Sequence, residues 1–353
     1  MIAIQNVYYM LSYAFQVLNE QGYKNIAAEK FENTAELCAA ILSRGIAVQI
    51  KRGLGREYIP ITESRAVLRG KLEIVDSIRY RTILKRQMVC TYDDFSVNTY
   101  KNQIIKSTIL LLLKADITKN RKKELRKRLV YFKDIEEIDL HQIRWNIQYD
   151  RNNQTYRMLL AICYLVVHGL LQSQTEGNTK LMDFLDEARM YHLYEKFILE
   201  YYRKEYHQIK VNASQISWQL DNEEKTYLPI MQSDIMLNYG EKTLIIDAKY
   251  YDKHVMQTQF SKSSVRSAHL YQIFTYVKNK EVELANQPHE VSGILLYAKT
   301  DEAALPNIEY QMSGNKIGVC TLDLNQDFPE IRRQLNEIVY KYLGVKHVKG
   351  SAI

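Results

Sequence analysis

Two aspartates and one lysine fall on what the residue pattern makes two strands of a single hairpin, and no other stretch constrains this chain so tightly. Residues 228–252 read Leu-Pro-Ile-Met-Gln-Ser-Asp-Ile-Met-Leu-Asn-Tyr-Gly-Glu-Lys-Thr-Leu-Ile-Ile-Asp-Ala-Lys-Tyr-Tyr-Asp. Thr243 to Tyr251 is apolar and β-branched enough for a strand, and Asn238 to Lys242 supplies a polar, glycine-containing turn. With the hairpin centred between Gly240 and Glu241, Asp234 lies opposite Asp247, because residues equidistant from a turn face each other. Side chains alternate along a strand, so Lys249 shares a face with Asp247. Directly opposed Cβ atoms are roughly 4.5–5.5 Å apart, and two carboxylates there repel. Ile245 and Ile246 precede Asp247, so its charge emerges from an apolar strand and needs a partner or a metal. An Asp-x-Lys tripeptide alone is common by chance. The opposed Asp234 and the apolar strand make it the geometry of a magnesium-dependent nuclease.

Each part has a chemical use. Phosphodiester hydrolysis needs charge neutralised at the phosphate and a deprotonated water in line with the leaving oxygen. Mg2+ held by Asp234 and Asp247 does the first and lowers the pKa of bound water. The Ala248 carbonyl can complete the metal shell, since magnesium keeps several waters and few protein ligands. Lys249 would position the water and offset developing charge. On the preceding helix, Glu195 sits among Leu193, Phe197 and Leu199, either as a further metal or water ligand or as a surface glutamate. On the following helix, Gln272 and Tyr276 are four residues apart and share a face. They can bind a phosphate or the attacking water, or be ordinary helix residues.

The rest of the chain frames this hairpin. Its 353 residues suffice for two domains. Helical periodicity covers Asn6–Leu18, Glu36–Ile46 and Asn98–Ala115, with short extended runs from Val48 to Ile83. A basic amphipathic helix is expected over Lys119–Lys133, as a solvated face or a contact for phosphates or an acidic partner. Helices are expected at Thr155–Gln172, Leu181–Tyr206, Ser264–Lys280 and Pro329–Leu343, and strands at 208–211, 216–219, 293–298 and 318–323. This is an α/β arrangement (α+β overall), with a domain boundary near residue 150. Four well-separated cysteines exclude a zinc ribbon and suit reduced thiols. Residues 1–15 show no charged leader or cleavage site, and the apolar runs are too short or interrupted to span a bilayer. A cytoplasmic protein with no membrane association is expected. The formal net charge of +7 suits a polyanionic partner. Gly240-Glu-Lys-Thr lacks the upstream glycine of a phosphate-binding loop, and neither a dinucleotide fingerprint, a zinc motif nor a serine-hydrolase elbow occurs.

The sequence resembles the McrC family, the endonuclease subunit of 5-methylcytosine-specific McrBC restriction systems. The resemblance runs through Ile4-Gln-Asn-Val-Tyr-Tyr-Met-Leu-Ser-Tyr-Ala-Phe, Arg52-Gly-Leu-Gly-Arg-Glu-Tyr, Arg69-Gly-Lys-Leu-Glu and Asn102-Gln-Ile-Ile-Lys-Ser-Thr. It is most specific in Met231-Gln-Ser-Asp-Ile, Leu244-Ile-Ile-Asp-Ala-Lys-Tyr-Tyr and His269-Leu-Tyr-Gln-Ile-Phe-Thr-Tyr, and it closes with Ile317-Gly-Val-Cys-Thr-Leu-Asp-Leu. It implies a PD-(D/E)xK restriction-endonuclease-like domain over 151–353, a mixed sheet flanked by helices, with Asp234, Asp247 and Lys249 catalytic. The proline of that name is absent, Gln232-Ser233 preceding Asp234; proline carries no chemistry. The resemblance further implies that a mixed α/β domain over 1–150 docks on an McrB-like AAA+ GTPase hexamer. That partner would bind GTP and recognise methylated double-stranded DNA, while this chain stimulates GTP hydrolysis and cuts. The β-rich element between Lys51 and Lys71 is the expected contact, with Arg52 or Arg56 near the partner's GTP, or else a solubilising turn. Two other readings stand beside this one. The first is a non-catalytic activator or assembly factor of the GTPase ring. The second is an autonomous repair or RNA nuclease, which leaves the N-terminal half unexplained.

Overall fold

The computed structural model describes residues 3–15, 33–149, 154–175, 187–222, 226–250, 256–259, 262–299 and 307–347, with positions 18, 23, 26, 29–31 and 224. They form two compact units: Met1–Glu20 with Leu185–Ile353, and Gln21–Phe184.

In chain order the helices are α1 (Ile4–Ala14), α2 (Thr34–Arg52), α3 (Ile74–Arg79), α4 (Tyr100–Lys114), α5 (Lys119–Leu129), α6 (Gln154–Thr175), α7 (Glu187–Glu205), α8 (Ser267–Glu283) and α9 (Phe328–Leu343). The strands are β1 (Glu57–Arg65), β2 (Lys71–Leu72), β3 (Met88–Ser96), β4 (Lys210–Asn212), β5 (Gln215–Ile216), β6 (Met231–Gln232), β7 (Ile235–Tyr239), β8 (Lys242–Lys249), β9 (Met256–Gln259), β10 (Lys262–Val265), β11 (Glu290–Ala298), β12 (Ile308–Met312) and β13 (Asn315–Leu322).

The unit of residues 21–184 packs α2, α4 and α6 around Leu37, Cys38, Ile41, Ile105, Ile109, Met158, Leu159 and Ile162, all buried. Asn33 caps α2 by accepting from the Glu36 N–H, and Thr99 and Thr118 cap α4 and α5 in the same way. An antiparallel sheet of order β1-β3-β2 forms here. Of the extended runs expected from Val48 to Ile83, the residues up to Arg52 belong to α2 and Ile74–Arg79 form α3, while β3 has no counterpart in that expectation. Helix α6 belongs here, so this unit reaches well past residue 150, where the sequence suggested a boundary. The reason is packing: the apolar stripe of α6 is buried against α2 and α4. That helix is long and apolar enough to cross a membrane, but 67% of its apolar window is buried inside the fold, as in the core helix of a globular domain.

The other unit is a six-stranded mixed sheet, order β12-β13-β11-β8-β7-β4. β8 pairs in parallel with β11, and β11 with β13, while β7, β4 and β12 join antiparallel. β8 is central and buried throughout Thr243–Lys249, as its near-continuous apolar run requires. The β7–β8 register pairs Ile235 with Ile246 and Tyr239 with Lys242, which is the pairing that the turn at Gly240-Glu241 dictates. Gly240 takes φ +57°, a left-handed conformation that favours glycine in so short a loop. Helix α8 packs with Ile273, Tyr276 and Val277 on the face that carries Met236, Ile245 and Leu295. On the opposite face, α7 and α9 contact β8 and are joined by a Tyr202 hydroxyl donating to the Leu335 carbonyl at 3.1 Å. Helix α8 begins at Ser267, because Ser264 and Val265 are taken into β10, pairing with β9. The expected helix start at Leu181, most of the loop before it, and the strand end at Tyr251 lie outside the described residues.

Candidate active site

The register of the β7–β8 hairpin, extended one residue, puts Asp234 opposite Asp247. Alternation then sets Asp234, Asp247 and Lys249 on the face that α8 covers, beside Met236 and Ile245. The structure brings all three together with Gln272 and Tyr276. Lys249 Nζ lies 2.7 Å from Asp247 Oδ2 and donates to Gln272 Oε1 at 3.3 Å. Gln272 Nε2 donates to the Tyr276 hydroxyl at 2.9 Å, which fixes the amide with its oxygen towards the lysine. The Ala248 N–H donates to Asp234 Oδ2 at 2.9 Å, tying the first carboxylate to the second strand.

Asp247 is 1% exposed; its Oδ2 lies 2.7 Å from the Lys249 ammonium, and no described residue hydrogen-bonds to Oδ1. Burial pushes the Asp247 carboxyl up to about 6; Lys249 opposes that rise and Asp234 adds to it. Asp234 is likewise raised to about 6 by burial, then by Glu195, against Lys249 and the Ala248 N–H. A buried carboxylate with one oxygen unpartnered, facing a second carboxylate, suits a hard divalent cation that takes few protein ligands. Among the described residues no three His, Cys, Asp or Glu side chains converge as a metal cluster, so the donor set fitted is the aspartate pair with backbone carbonyl and water.

Glu195 stands on α7, with its carboxylate 3.6 Å from His192 Nδ1. Burial raises its pKa, the His192 side chain opposes this, and Asp247 raises it further, so it lies within electrostatic reach of the pair.

Two residues at this site were given no role from the sequence. Tyr191, one helical turn before Glu195, donates to Asp234 Oδ2 at 3.4 Å and places its ring 5.9 Å from Lys249 Nζ. His269, three residues before Gln272, has Nδ1 2.7 Å from the Tyr297 hydroxyl. Burial, then Lys249 and Arg266, push the His269 imidazole down to about 4, so it is neutral at pH 7. The i, i+3 and i, i+4 spacings to Gln272 and Glu195 were the available signal.

Arg52 and Arg56 belong to the other unit. Lys51 and Arg52 end α2 rather than forming a turn, and Gly53 caps the helix with φ +90°. Arg56 lies 5.8 Å from the Phe95 ring centre. Between them, Gly55 N–H donates to the Tyr156 hydroxyl at 2.7 Å, and Asn102 Nδ2 donates to the Gly55 carbonyl at 2.9 Å. The segment is a fastened ledge with both arginines exposed.

Residues 4–298 match the family described as McrBC 5-methylcytosine restriction system component. Over 349 residues the chain is 30% identical to the Type IV methyl-directed restriction enzyme EcoKMcrBC of Escherichia coli (strain K12), covering 97% of this chain and 98% of that protein. A solved half-complex from the tetradecameric assembly of Thermococcus gammatolerans McrB AAA+ hexamers with bound McrC aligns with TM-score 0.45 at 17% identity, covering 92% of this chain and 75% of that one. The cryo-EM structure of the Thermococcus gammatolerans McrBC complex aligns with TM-score 0.36 at 19% identity, over 49% and 56% of the two chains.

Proposed function

The chain belongs to the McrBC 5-methylcytosine restriction system component family, and from that premise we propose that it is the DNA-cutting subunit of such a system, a type IV restriction endonuclease subunit that hydrolyses phosphodiesters with Mg2+. The observation that carries this reading is the buried Asp247, paired through Oδ2 with Lys249 and unpartnered at Oδ1, set opposite Asp234 on a central strand. The β7–β8 hairpin with α7 and α8 would then be a PD-(D/E)xK core. Asp234, Asp247 and the Ala248 carbonyl would hold the metal, with Glu195 acting through water. When bound, Mg2+ supplies charge neutralisation at the phosphate and lowers the pKa of its water.

The protein groups divide the remaining work. Lys249, held between Asp247 and Gln272, offsets charge developing on the phosphate and orients the attacking water. Gln272, locked by Tyr276, fixes that ammonium. The Ala248 N–H holds Asp234 in place. Both carboxyls must be ionised for this work, so their raised pKa values set a lower pH limit on activity.

The second unit is proposed to dock on an McrB-like AAA+ GTPase hexamer and to stimulate it, with GTP and recognition of methylated double-stranded DNA assigned to that partner. Support comes from the stretch of chain between β1 and β3. Val67, Val75, Ile78, Ile83 and Leu84 are all well exposed, Leu84 at 81%, a run of apolar side chains that a partner could cover. Arg52 or Arg56 would approach the partner's GTP. A restriction role of this kind places the complex in the cytoplasm, against incoming DNA.

The test is cleavage of cytosine-methylated plasmid by the chain with its GTPase partner, GTP and magnesium, comparing wild type with Asp247→Ala while GTP turnover is followed. Cutting lost with turnover kept is the expected result. A wild type that stimulates turnover and never cuts would make the chain an activating subunit with no nuclease role.

A further inference from the structure

Helix α5 carries an unbalanced charge that neither the hairpin nor the apolar surface uses. Arg121 is its only cation with an ionic partner: Glu29 at 2.7 Å, Glu36 at 3.3 Å and Glu124 at 2.8 Å. Glu124 is also the one acid on the helix. Its other cations, Lys119, Lys122, Lys123, Arg126, Lys127 and Arg128, make no ion pair with any described residue. Seven Lys or Arg stand against one Glu on this eleven-residue helix, a local excess of positive charge.

The arrangement is directional. At 100° per residue, Lys119, Lys123, Arg126 and Lys127 fall on the side opposite the buried Leu125 and Phe132. Lys119, Lys123 and Lys127 follow one another at about 6 Å along the axis. The inner side is anchored: Thr118 donates from its N–H and its hydroxyl to the Glu36 carboxylate, each at 2.9 Å, and Arg121 joins the same carboxylate. The row of cations therefore projects from a fixed element.

We propose that the outer face of α5 is a sequence-independent contact for the phosphate backbone of duplex DNA, separate from the carboxylate site. A duplex offers one negative charge per about 1.7 Å of axis, a regular density that a row of cations at one-turn spacing can follow. An acidic protein surface is the poorer fit, because protein interfaces are depleted in lysine and centred on apolar groups, and within α5 this face carries none, the exposed Val130 and Tyr131 lying just beyond its end. The inference goes beyond the nuclease reading and does not need it, since backbone binding requires neither metal nor catalysis.

The experiment is fluorescence anisotropy of the full chain with a short unmethylated DNA duplex, without magnesium, over a series of KCl concentrations. The variant is K119Q/K123Q/R126Q/K127Q, which keeps helix-forming residues at exposed positions, and K119R/K123R/K127R is the charge-conserving control. Each lost phosphate contact removes about 0.9 from the slope of log K against log salt, so the glutamine variant is expected to flatten it by up to about 3.6 and to bind at least about tenfold more weakly. The arginine variant is expected to keep the wild-type slope. An unchanged slope in the glutamine variant, or equal wild-type affinity for poly-glutamate and DNA, overturns the proposal. Plasmid cutting by the same preparations with the GTPase partner is read separately, so losing this inference leaves the nuclease reading standing.

Discussion

Asp247 is buried, ion-paired with the Lys249 ammonium at 2.7 Å, opposite another carboxylate, and unpartnered at Oδ1. Such a group costs the metal-free fold stability and is relieved by protonation or by a cation. The sign follows from the raised pKa values of Asp234 and Asp247, each about 6. Between the ordinary carboxylate range and pH 6 the folded chain binds more protons than the unfolded one. Stability therefore falls as pH rises through that window and stays lower above it. In EDTA, Tm is expected to drop by about 2–6 °C between pH 5 and pH 7; magnesium at pH 7 is expected to restore it by mass action. Thermal melts of wild type beside Asp247→Ala check this: the variant should lose both the pH step and the magnesium gain. Equal magnesium gains in the two proteins would remove the aspartate pair from the metal. Cutting should rise through about pH 6 for the same reason, measured as rate against pH at saturating metal. At this scale the sequence was informative about Asp234, Asp247 and Lys249, because their relation is set by a two-residue turn and by strand alternation. It was uninformative about Tyr191 and His269, whose roles depend on where helices α7 and α8 lie against the sheet.

At the scale of elements, the position of α8 decides whether Gln272 can meet Lys249. Gly293 on β11 permits its close approach: a Cβ there would lie 2.6 Å from Val277 Cγ2 and 2.7 Å from Ile273 Cγ1. Gly293→Ala is therefore expected to push α8 outward, costing about 1–3 kcal/mol of stability. Cutting should fall more than stability alone explains, because the Gln272–Lys249 contact is only 3.3 Å to begin with. Melts and cleavage rates at a temperature well below Tm separate the two effects; full activity in a destabilised variant would show that α8 has slack. In the other unit, Asn102 is buried and donates to the Gly55 and Val97 carbonyls while accepting from Tyr156. Asn102→Ala should cost about 2–4 kcal/mol by stranding three polar groups and should loosen the ledge between Arg52 and Arg56. Chemical denaturation of the variant measures the first, and GTPase stimulation the second. Most elements were legible from periodicity. β3, β9, β10 and β12 were not, because short or polar strands acquire their identity from the partner strand rather than from an apolar rhythm.

For the whole molecule, the two compact units carry different surfaces: one holds the opposed carboxylates, the other an apolar patch and a cationic helix. Ile83→Lys with Leu84→Lys, at positions exposed in the isolated chain, should leave Tm nearly unchanged and abolish stimulation of the GTPase partner. Normal stimulation would move the docking surface elsewhere. The opposed aspartates, the in-register lysine, the mixed α/β class and the membership of the family were all determined by the sequence. Each rests on local spacing or on residues matched one by one. The tertiary structure alone decided the unit boundary, since α6 joins the earlier helices through side chains far apart in the chain. It alone decided which oxygens go without hydrogen bonds and which cations without partners. Burial and pairing are properties of what surrounds a residue, and those surroundings come from distant parts of the chain.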